Sequence, residues 1–194
     1  MYEKYIKIIN DNGGIITSKE ASKKGISRTV LSQMVKDKSI ERIDYGIYAT
    51  NKFIYDEIFI FQMKHPNIVF SYNTSLYLLN KTERTPEKLD VTTTRNNSLG
   101  YCRDMANIHR VNSEIINIGK IKVLTNSGKK VYAYNIERTI VDIISNRNVM
   151  SIELANKVIK KCIKEKGFNA NLMFEYAKKM KVYDKVKNYM EAII

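Results

Sequence analysis

Polar side chains with hydrogen-bonding heads recur along one side of the segment RTVLSQMVK, namely Arg28, Thr29, Ser32 and Gln33. The Arg28 guanidinium can form two parallel hydrogen bonds with the edge of a guanine, and the Gln33 amide can do the same with an adenine. The hydroxyls of Thr29 and Ser32 can bond either a base or a phosphate oxygen. The segment is therefore a candidate for reading the edges of nucleic-acid bases.

Apolar residues in the same segment predict the element that positions these groups. Leu31, Met34 and Val35 recur at helical spacing. Ser27 is a good N-cap, so we expect a helix that runs to about Lys38. Its apolar side would pack on a core and leave the polar side in solvent.

The flanking sequence predicts a small domain around this helix. Residues 2–12 are typical of a helix ended by Asn12-Gly13-Gly14, and Thr17 and Glu20 have the spacing of a capping box that opens a second helix. After the third helix, the β-prone runs IERI and YGIYAT flank a turn at Asp44-Tyr45-Gly46. Helix, strand, helix, turn, helix and hairpin follow one another in the order of a winged helix-turn-helix.

In a helix-turn-helix the second helix of the motif enters the major groove with its N-terminal residues against the bases. Lysines beside it suit phosphate contacts, and a basic and an aromatic residue of the hairpin suit a backbone or minor-groove contact. The residues predicted to bind DNA are Lys23, Ser27, Arg28, Thr29, Ser32, Gln33, Lys36, Arg42 and Tyr45. Winged helices also dock protein partners, in which case this face is merely solvated.

The rest of the chain predicts a second domain of mixed character. Residues 53–150 alternate helical and β-prone runs, including a helix over about 54–64, one capped by Asn73 or Thr74, and one starting near Asn135. Residues 151–194 are typical of three helices. We expect an α+β fold, with a winged helix-turn-helix at 1–52 followed by a mixed α/β domain at 53–194 that ends in a helical bundle. On the helix near Asn135, Arg138 and Asp142 have the spacing of a surface ion pair.

The charge balance favours a polyanionic partner. The chain carries 33 basic and 20 acidic side chains, a net charge of +13. A lysine-rich composition set by an AT-biased genome is the alternative explanation. The last 44 residues alone hold ten lysines against five acids. Accessory phosphate contacts are therefore predicted at Lys160, Lys161, Lys164, Lys178 and Lys179.

Signals for catalysis and cofactors are weak. Asp90 and Glu114 lie on or near predicted strands, but no acid is followed two residues later by the lysine of a restriction-type nuclease site. His65 and His109 lack metal-ligand spacing, and no phosphate-binding glycine loop occurs. We therefore expect no enzyme activity, no metal and no cofactor.

The chain also lacks signals for export or membrane insertion. Cys102 and Cys162 form no CxxC pattern, which favours reduced thiols. No apolar run approaches the roughly 18 residues of a membrane span, and the N-terminal residues lack the apolar core of a signal peptide. A cytoplasmic protein with no membrane partner is expected.

Three blocks together resemble the AbiEi family of antitoxins. They are the N-terminal GGIITSKEASKKGISRTVLSQMVKDKSIERIDYGIYA, the segment NIERTIVDII and the lysine-rich helical tail. The most specific pieces are the block ending in Tyr45-Gly46-Ile47-Tyr48 and the segment Glu137-Arg138-Thr139. The resemblance covers nearly the whole chain.

The resemblance implies an antitoxin of a phage-defence toxin–antitoxin operon whose toxin is an AbiEii-type nucleotidyltransferase. Its winged helix would repress its own operon by binding inverted repeats upstream, cooperatively and with DNA bending. Its C-terminal region would carry the antitoxicity without a stable toxin complex. The alternative is an interaction protein whose winged helix docks a protein and which neutralises the toxin by direct contact.

Overall fold

The computed structural model describes residues 2–146 and 148–193, and the chain divides into two compact units, Met1–Asp56 and Glu57–Ile194. The division falls after Asp56, whereas the sequence places it after Lys52. Both helices and sheets are present, which confirms the predicted α+β class.

The first unit follows the predicted order of elements. It consists of α1 (Glu3–Asp11), β1 (Ile15–Thr17), α2 (Ser18–Lys23), α3 (Arg28–Lys36), β2 (Glu41–Asp44) and β3 (Ile47–Ala49). The strands form an antiparallel sheet in the order β1-β3-β2. Ile16, Ile26, Leu31 and Met34 lie in one buried cluster, so α3 packs with its apolar side inward.

Local hydrogen bonds fix where the helices of this unit begin. The backbone N–H of Glu20 donates to Thr17 Oγ1 at 3.2 Å, and the Thr17 N–H donates to Glu20 Oε2 at 2.9 Å. This is the predicted capping box, in which two otherwise unpaired donors are satisfied reciprocally. The backbone N–H of Val30 donates to Ser27 Oγ at 3.2 Å, which confirms Ser27 as the cap of α3.

The second unit combines a mixed sheet with a group of helices. It consists of α4 (Glu57–Lys64), β4 (Val69–Phe70), α5 (Tyr72–Leu78), β5 (Leu89–Thr94), a 3₁₀ turn (Gly100–Cys102), β6 (Ala106–Val111), β7 (Lys120–Leu124), β8 (Lys130–Tyr134), α6 (Ile136–Ser145), α7 (Ile152–Ile163), α8 (Ala170–Lys179) and α9 (Tyr183–Ile193). The described strands lie in the order β6-β5-β4-β8-β7. The pairs β5–β6 and β4–β8 are parallel, and the pairs β4–β5 and β7–β8 are antiparallel.

Two apolar clusters hold this unit together. One includes Phe61, Phe70, Val91 and Val131, from α4 and the sheet. The other joins α5 and α6 to the three C-terminal helices and has residues such as Ile140, Ile159, Met173 and Val186 at its centre. Because α6 has α5, α7, α8 and α9 as neighbours, it is buried along most of its length.

The starts of two helices differ from the prediction. The helix predicted from residue 54 begins at Glu57, and Ile54 is left exposed. The helix after β4 begins at Tyr72, so the predicted cap at Asn73 or Thr74 is wrong. Those two side chains make tertiary bonds instead, since Asn73 Nδ2 donates to Asp90 Oδ2 at 3.0 Å and Thr74 Oγ1 accepts the Asp90 N–H at 2.8 Å.

The predicted surface position of the Arg138–Asp142 ion pair is also wrong. The pair exists, with Arg138 Nε 3.0 Å from Asp142 Oδ1, but the Arg138 side chain is fully buried and that of Asp142 nearly so. Four-residue spacing identifies partners on a helix and says nothing about the neighbours of that helix. The burial of α6 by other elements decides the environment of this ion pair.

Across the described residues no helix has both the length and the apolar character needed to cross a bilayer.

Candidate nucleic-acid interface

The helix α3 presents a polar face that is separate from its core-facing side. Leu31 and Met34 are fully buried, and they hold the helix on the first unit. All six polar residues that the sequence assigns to this helix and its cap are exposed, namely Ser27, Arg28, Thr29, Ser32, Gln33 and Lys36. One rigid element therefore displays them on the surface of a single unit.

Two of these polar side chains are bonded within the protein. The Ser27 hydroxyl is used as the cap, and Gln33 Nε2 donates to Asp37 Oδ1 at 3.2 Å. In the described part of the chain, the side chains of Arg28 and Lys36 have no hydrogen bond and no ion pair. A partner can engage them without first breaking an internal bond. The carboxylate of Asp37 borders the face at the C-terminal end of α3.

The hairpin β2–β3, which we call the wing, carries the other predicted contacts. Tyr45 at its turn is 83% exposed. The guanidinium carbon of Arg42 lies 5.2 Å from the centre of the Tyr45 ring, a cation–π arrangement. Arg42 Nε also donates weakly to the Asp44 carbonyl at 3.4 Å. The wing thus ends in an exposed aromatic ring with a cation beside it.

The turn of the wing is fixed to the start of α2. Both the backbone N–H and the hydroxyl of Ser18 donate to the Gly46 carbonyl, at 2.8 and 3.2 Å. Gly46 has φ +69°, and a Cβ there would lie 3.1 Å from Ser18 Oγ. Glycine therefore suits both the backbone conformation and the close approach to α2.

The remaining predicted contact of the first unit is Lys23, in the last turn of α2. It is exposed, and a cation at that position complements the helix dipole. The structure accordingly places all nine predicted residues at the surface of the first unit, on α2, on α3 with its cap, and on the wing.

The predicted accessory lysines lie on the second unit and are all exposed. Lys160 and Lys161 lie in the last turn of α7. Lys179 Nζ lies 2.6 Å from Glu175 Oε1, and the hydrogen bond to this carboxylate raises the pKa of the lysine. The Lys178 ammonium lies 5.1 Å from the centre of the Tyr183 ring. Lys179 is therefore already paired with an acid, so it is a weaker candidate for a phosphate contact.

A polar cluster in the second unit has no counterpart among the sequence predictions. The Asp90 carboxylate is 1% exposed and accepts hydrogen bonds from Asn73 Nδ2 at 3.0 Å and Asn107 Nδ2 at 3.3 Å. His109 Nε2 lies 2.9 Å from the same carboxylate. The register of the parallel pair β5–β6, with Asp90 opposite Asn107, brings these groups together. In the described residues, no group of three or more His, Cys, Asp or Glu side chains could hold a metal ion.

Comparison with known proteins identifies relatives of the fold and of the first unit. No curated protein sequence matches the chain. The crystal structure of the RV2827C protein from Mycobacterium tuberculosis superposes with a TM-score of 0.59 over 95% of this chain and 76% of that one. The two sequences are 8% identical, so the likeness is one of fold.

The first unit is recognised at the level of sequence. Residues 3–51 match a family model described as "Transcriptional regulator, AbiEi antitoxin". The matched range spans α1 to β3 and includes every residue of the polar face of α3 and of the wing. Over residues 3–51, the chain is thus similar to transcriptional regulators of the AbiEi antitoxin type.

Proposed function

We propose that the first unit binds operator DNA in the promoter of its own operon and represses that operon, with α3 as the recognition helix in the major groove. The observation that carries the proposal is the exposed face of α3. Among the described residues Arg28 and Lys36 on this face have no internal partner, while Leu31 and Met34 hold the opposite side in the core. The match of residues 3–51 to transcriptional regulators supports it.

Each side chain has a role in this proposal that its chemistry supports. Arg28, Thr29, Ser32 and Gln33 read base edges, and Arg28 can grip a guanine through two hydrogen bonds. Ser27, Lys23 and Lys36 fix the register through phosphate contacts, and Arg42 and Tyr45 of the wing contact the backbone or the minor groove. Gln33 must exchange its bond to Asp37 for one to a base, since Asp37 holds its amide in the free protein.

The second unit, in this proposal, carries the antitoxicity against a nucleotidyltransferase-like toxin encoded beside this gene in a phage-defence operon. Its exposed lysines on α7 and α8 extend the contact with nucleic acid. The family description as an antitoxin supports the pairing with a toxin. The net charge of +13 supports a polyanionic ligand.

Binding of the upstream DNA at increasing salt tests the repressor proposal. Fluorescence anisotropy with the promoter fragment and with a scrambled duplex should show a large preference for the promoter near physiological salt. Specific affinity typically exceeds non-specific affinity by about 10³-fold or more. Equal affinity for the two duplexes would contradict operator recognition.

A second candidate is a protein-docking winged helix that neutralises the toxin by direct contact. Asp37 favours it, since this carboxylate lies at the end of the polar face of α3, where it would repel a phosphate. Co-expression of the chain with the adjacent toxin, followed by size-exclusion chromatography, separates the candidates. The docking proposal requires a stable complex that Arg28→Glu disrupts, whereas the repressor proposal requires none.

A further inference from the structure

A cavity of about 620 Å³ lies in the second unit beside the polar cluster around Asp90. This volume falls in the range of small-molecule sites, about 300–1,000 Å³. The segment between α5 and β5 forms one side of the cavity, and the N-terminal end of α7 forms another. The cavity belongs to none of the surfaces that the DNA-binding proposal uses.

Two amides in the lining of the cavity are held by one carboxylate. Asn73 and Asn107 line the cavity, and each donates one N–H to Asp90. The Asp90 carboxylate already bonds these two amides and His109, so its role is to orient the amides. In the described part of the chain, the side-chain oxygen and the second N–H of each amide have no partner. An oriented amide that offers a donor beside an acceptor is the group that pairs with an adenine edge.

Another part of the lining is apolar. It includes Met150, Leu154 and Val158, and Leu154 is 39% exposed although Ala155 and Val158 on the same helix lie in an apolar core. An apolar side chain on the wall of a cavity favours a ligand with a flat, weakly polar ring. A purely ionic ligand would gain nothing from this wall.

Two cations, Arg84 and Lys88, also line the cavity, together with the carboxylate of Glu87. Arg84 Nη2 pairs with Glu87 Oε1 at 2.9 Å, but both side chains are largely in solvent, where such pairs contribute little. Lys88 Nζ donates to the Arg103 carbonyl at 3.0 Å, which is a neutral acceptor. Both cations therefore keep the charge and donors to bind a phosphate.

We propose that this cavity binds an adenine nucleotide, with the base edge on Asn73 and Asn107, the ring against Leu154, and the phosphate on Arg84 and Lys88. The ligand is either a free mononucleotide or the terminal nucleotide of a single strand, since both present the same groups. The site is independent of DNA binding by α3. It gives the second unit a ligand of its own.

Isothermal titration calorimetry on the full chain tests the site, with AMP as the free probe and a short single-stranded oligonucleotide ending in 5′-phosphoadenosine as the strand probe. Saturable binding of at least one probe is expected. Leu154→Glu removes the apolar contact with the base and places a carboxylate in the cavity, where it repels the phosphate, so binding should weaken at least tenfold. Ile152→Glu, the same change of charge at an exposed position of the same helix outside the cavity, should leave binding unchanged.

The polar contacts are tested separately. Asn107→Ala and Arg84→Ala should each weaken binding at least fivefold, whereas Arg95→Ala, at an exposed arginine away from the cavity, should not. AMP that binds as tightly as the oligonucleotide identifies a free nucleotide as the ligand, and a clear preference for the oligonucleotide identifies a strand end. The proposal is overturned if neither probe binds at millimolar concentration. It is also overturned if Leu154→Glu has no effect, or if inorganic phosphate binds as tightly as AMP.

Discussion

Arg138 and Asp142, one turn apart on α6, form an ion pair in the interior of the second unit. Arg138 Nε lies 3.0 and 3.1 Å from the two carboxylate oxygens of Asp142. Arg138 Nη1 donates to the carbonyls of Ile115 and Ile118 at 2.8 and 2.9 Å. The guanidinium therefore ties α6 to the segment that precedes β7, and the carboxylate compensates its charge away from bulk solvent.

Removing the carboxylate should destabilise the protein severely. Asp142→Asn leaves the Arg138 charge buried without a counter-ion, which costs about 3–5 kcal/mol of the free energy of unfolding. Urea denaturation followed by circular dichroism measures this decrease. Glu175→Gln is the control, because it breaks an ion pair of the same spacing with Lys179 on the exposed side of α8. A similar midpoint for the two variants would show that the buried charge is not the source of the effect.

Gly119 should tolerate no side chain, because α6 approaches its backbone. It has φ +72°, and a Cβ there would lie 2.5 Å from Arg138 Cβ and 2.7 Å from Asn135 Oδ1. Gly128 has φ +75° with open space around it. Gly128→Ala should cost the left-handed strain alone, about 1–2 kcal/mol. Gly119→Ala should lower the free energy of unfolding by clearly more, and equal effects in urea denaturation would disprove the predicted clash.

What could be predicted from the sequence is what short-range chemistry determines. The capping box of Thr17 and Glu20, the cap at Ser27 and the helical spacing of Leu31 and Met34 all act within one or two turns. These signals specify the helices of the first unit correctly. The spacing of four residues between Gln33 and Asp37 would likewise have predicted the bond between them.

What could not be predicted depends on which elements become neighbours. Asp90 and His109 meet because β5 and β6 pair in parallel across a connection of irregular chain, and no local pattern specifies that register. The environment of Arg138 likewise depends on the segment that precedes β7, which lies 20 or more residues earlier in the chain. The cavity beside Asp90 could not be predicted for the same reason, since separate segments supply its amides, its apolar side chains and its cations.

Two substitutions on α3 should separate base reading from phosphate binding. Arg28→Ala should reduce the preference for the promoter over a scrambled duplex by about 1–3 kcal/mol, because it removes a bidentate bond to a base. Lys36→Ala should weaken binding to both duplexes alike. Anisotropy titrations measure both. Lys7→Ala, at an exposed lysine on α1, should change neither affinity. An undiminished preference in Arg28→Ala would show that Arg28 does not read a base.

The salt dependence of DNA affinity should show whether lysines of the second unit bind phosphates. If Lys160, Lys161 and Lys164 bind phosphates, replacing all three by glutamine flattens the plot of log affinity against log salt by about 0.9 for each phosphate that is no longer neutralised. Anisotropy titrations at several salt concentrations give the slope. Lys187→Gln, on α9, is the matched control. An unchanged slope in the triple variant would show that these lysines lie off the DNA.

Stability should fall at alkaline pH because of two buried tyrosines. Burial raises the pKa of Tyr72 and of Tyr134 above the ordinary tyrosine value of about 10. The unfolded chain then loses these protons first, so the contribution of the two tyrosines to the free energy of unfolding is constant below about pH 10 and decreases above it. Tyr72→Phe should reduce the decrease that urea denaturation detects as the pH rises through about 10. Tyr45→Phe, at an exposed ring, should leave the pH profile as it is.

The bond between Ser18 and Gly46 has a consequence for how such a protein diversifies. The turn of the wing is supported by the start of α2 and not by the exposed face of α3. In the proposed complex with DNA, substitutions on that face would change base preference while the hairpin keeps its position. New binding specificity would then require changes in a few codons of one helix, and the contact made by the wing would stay the same.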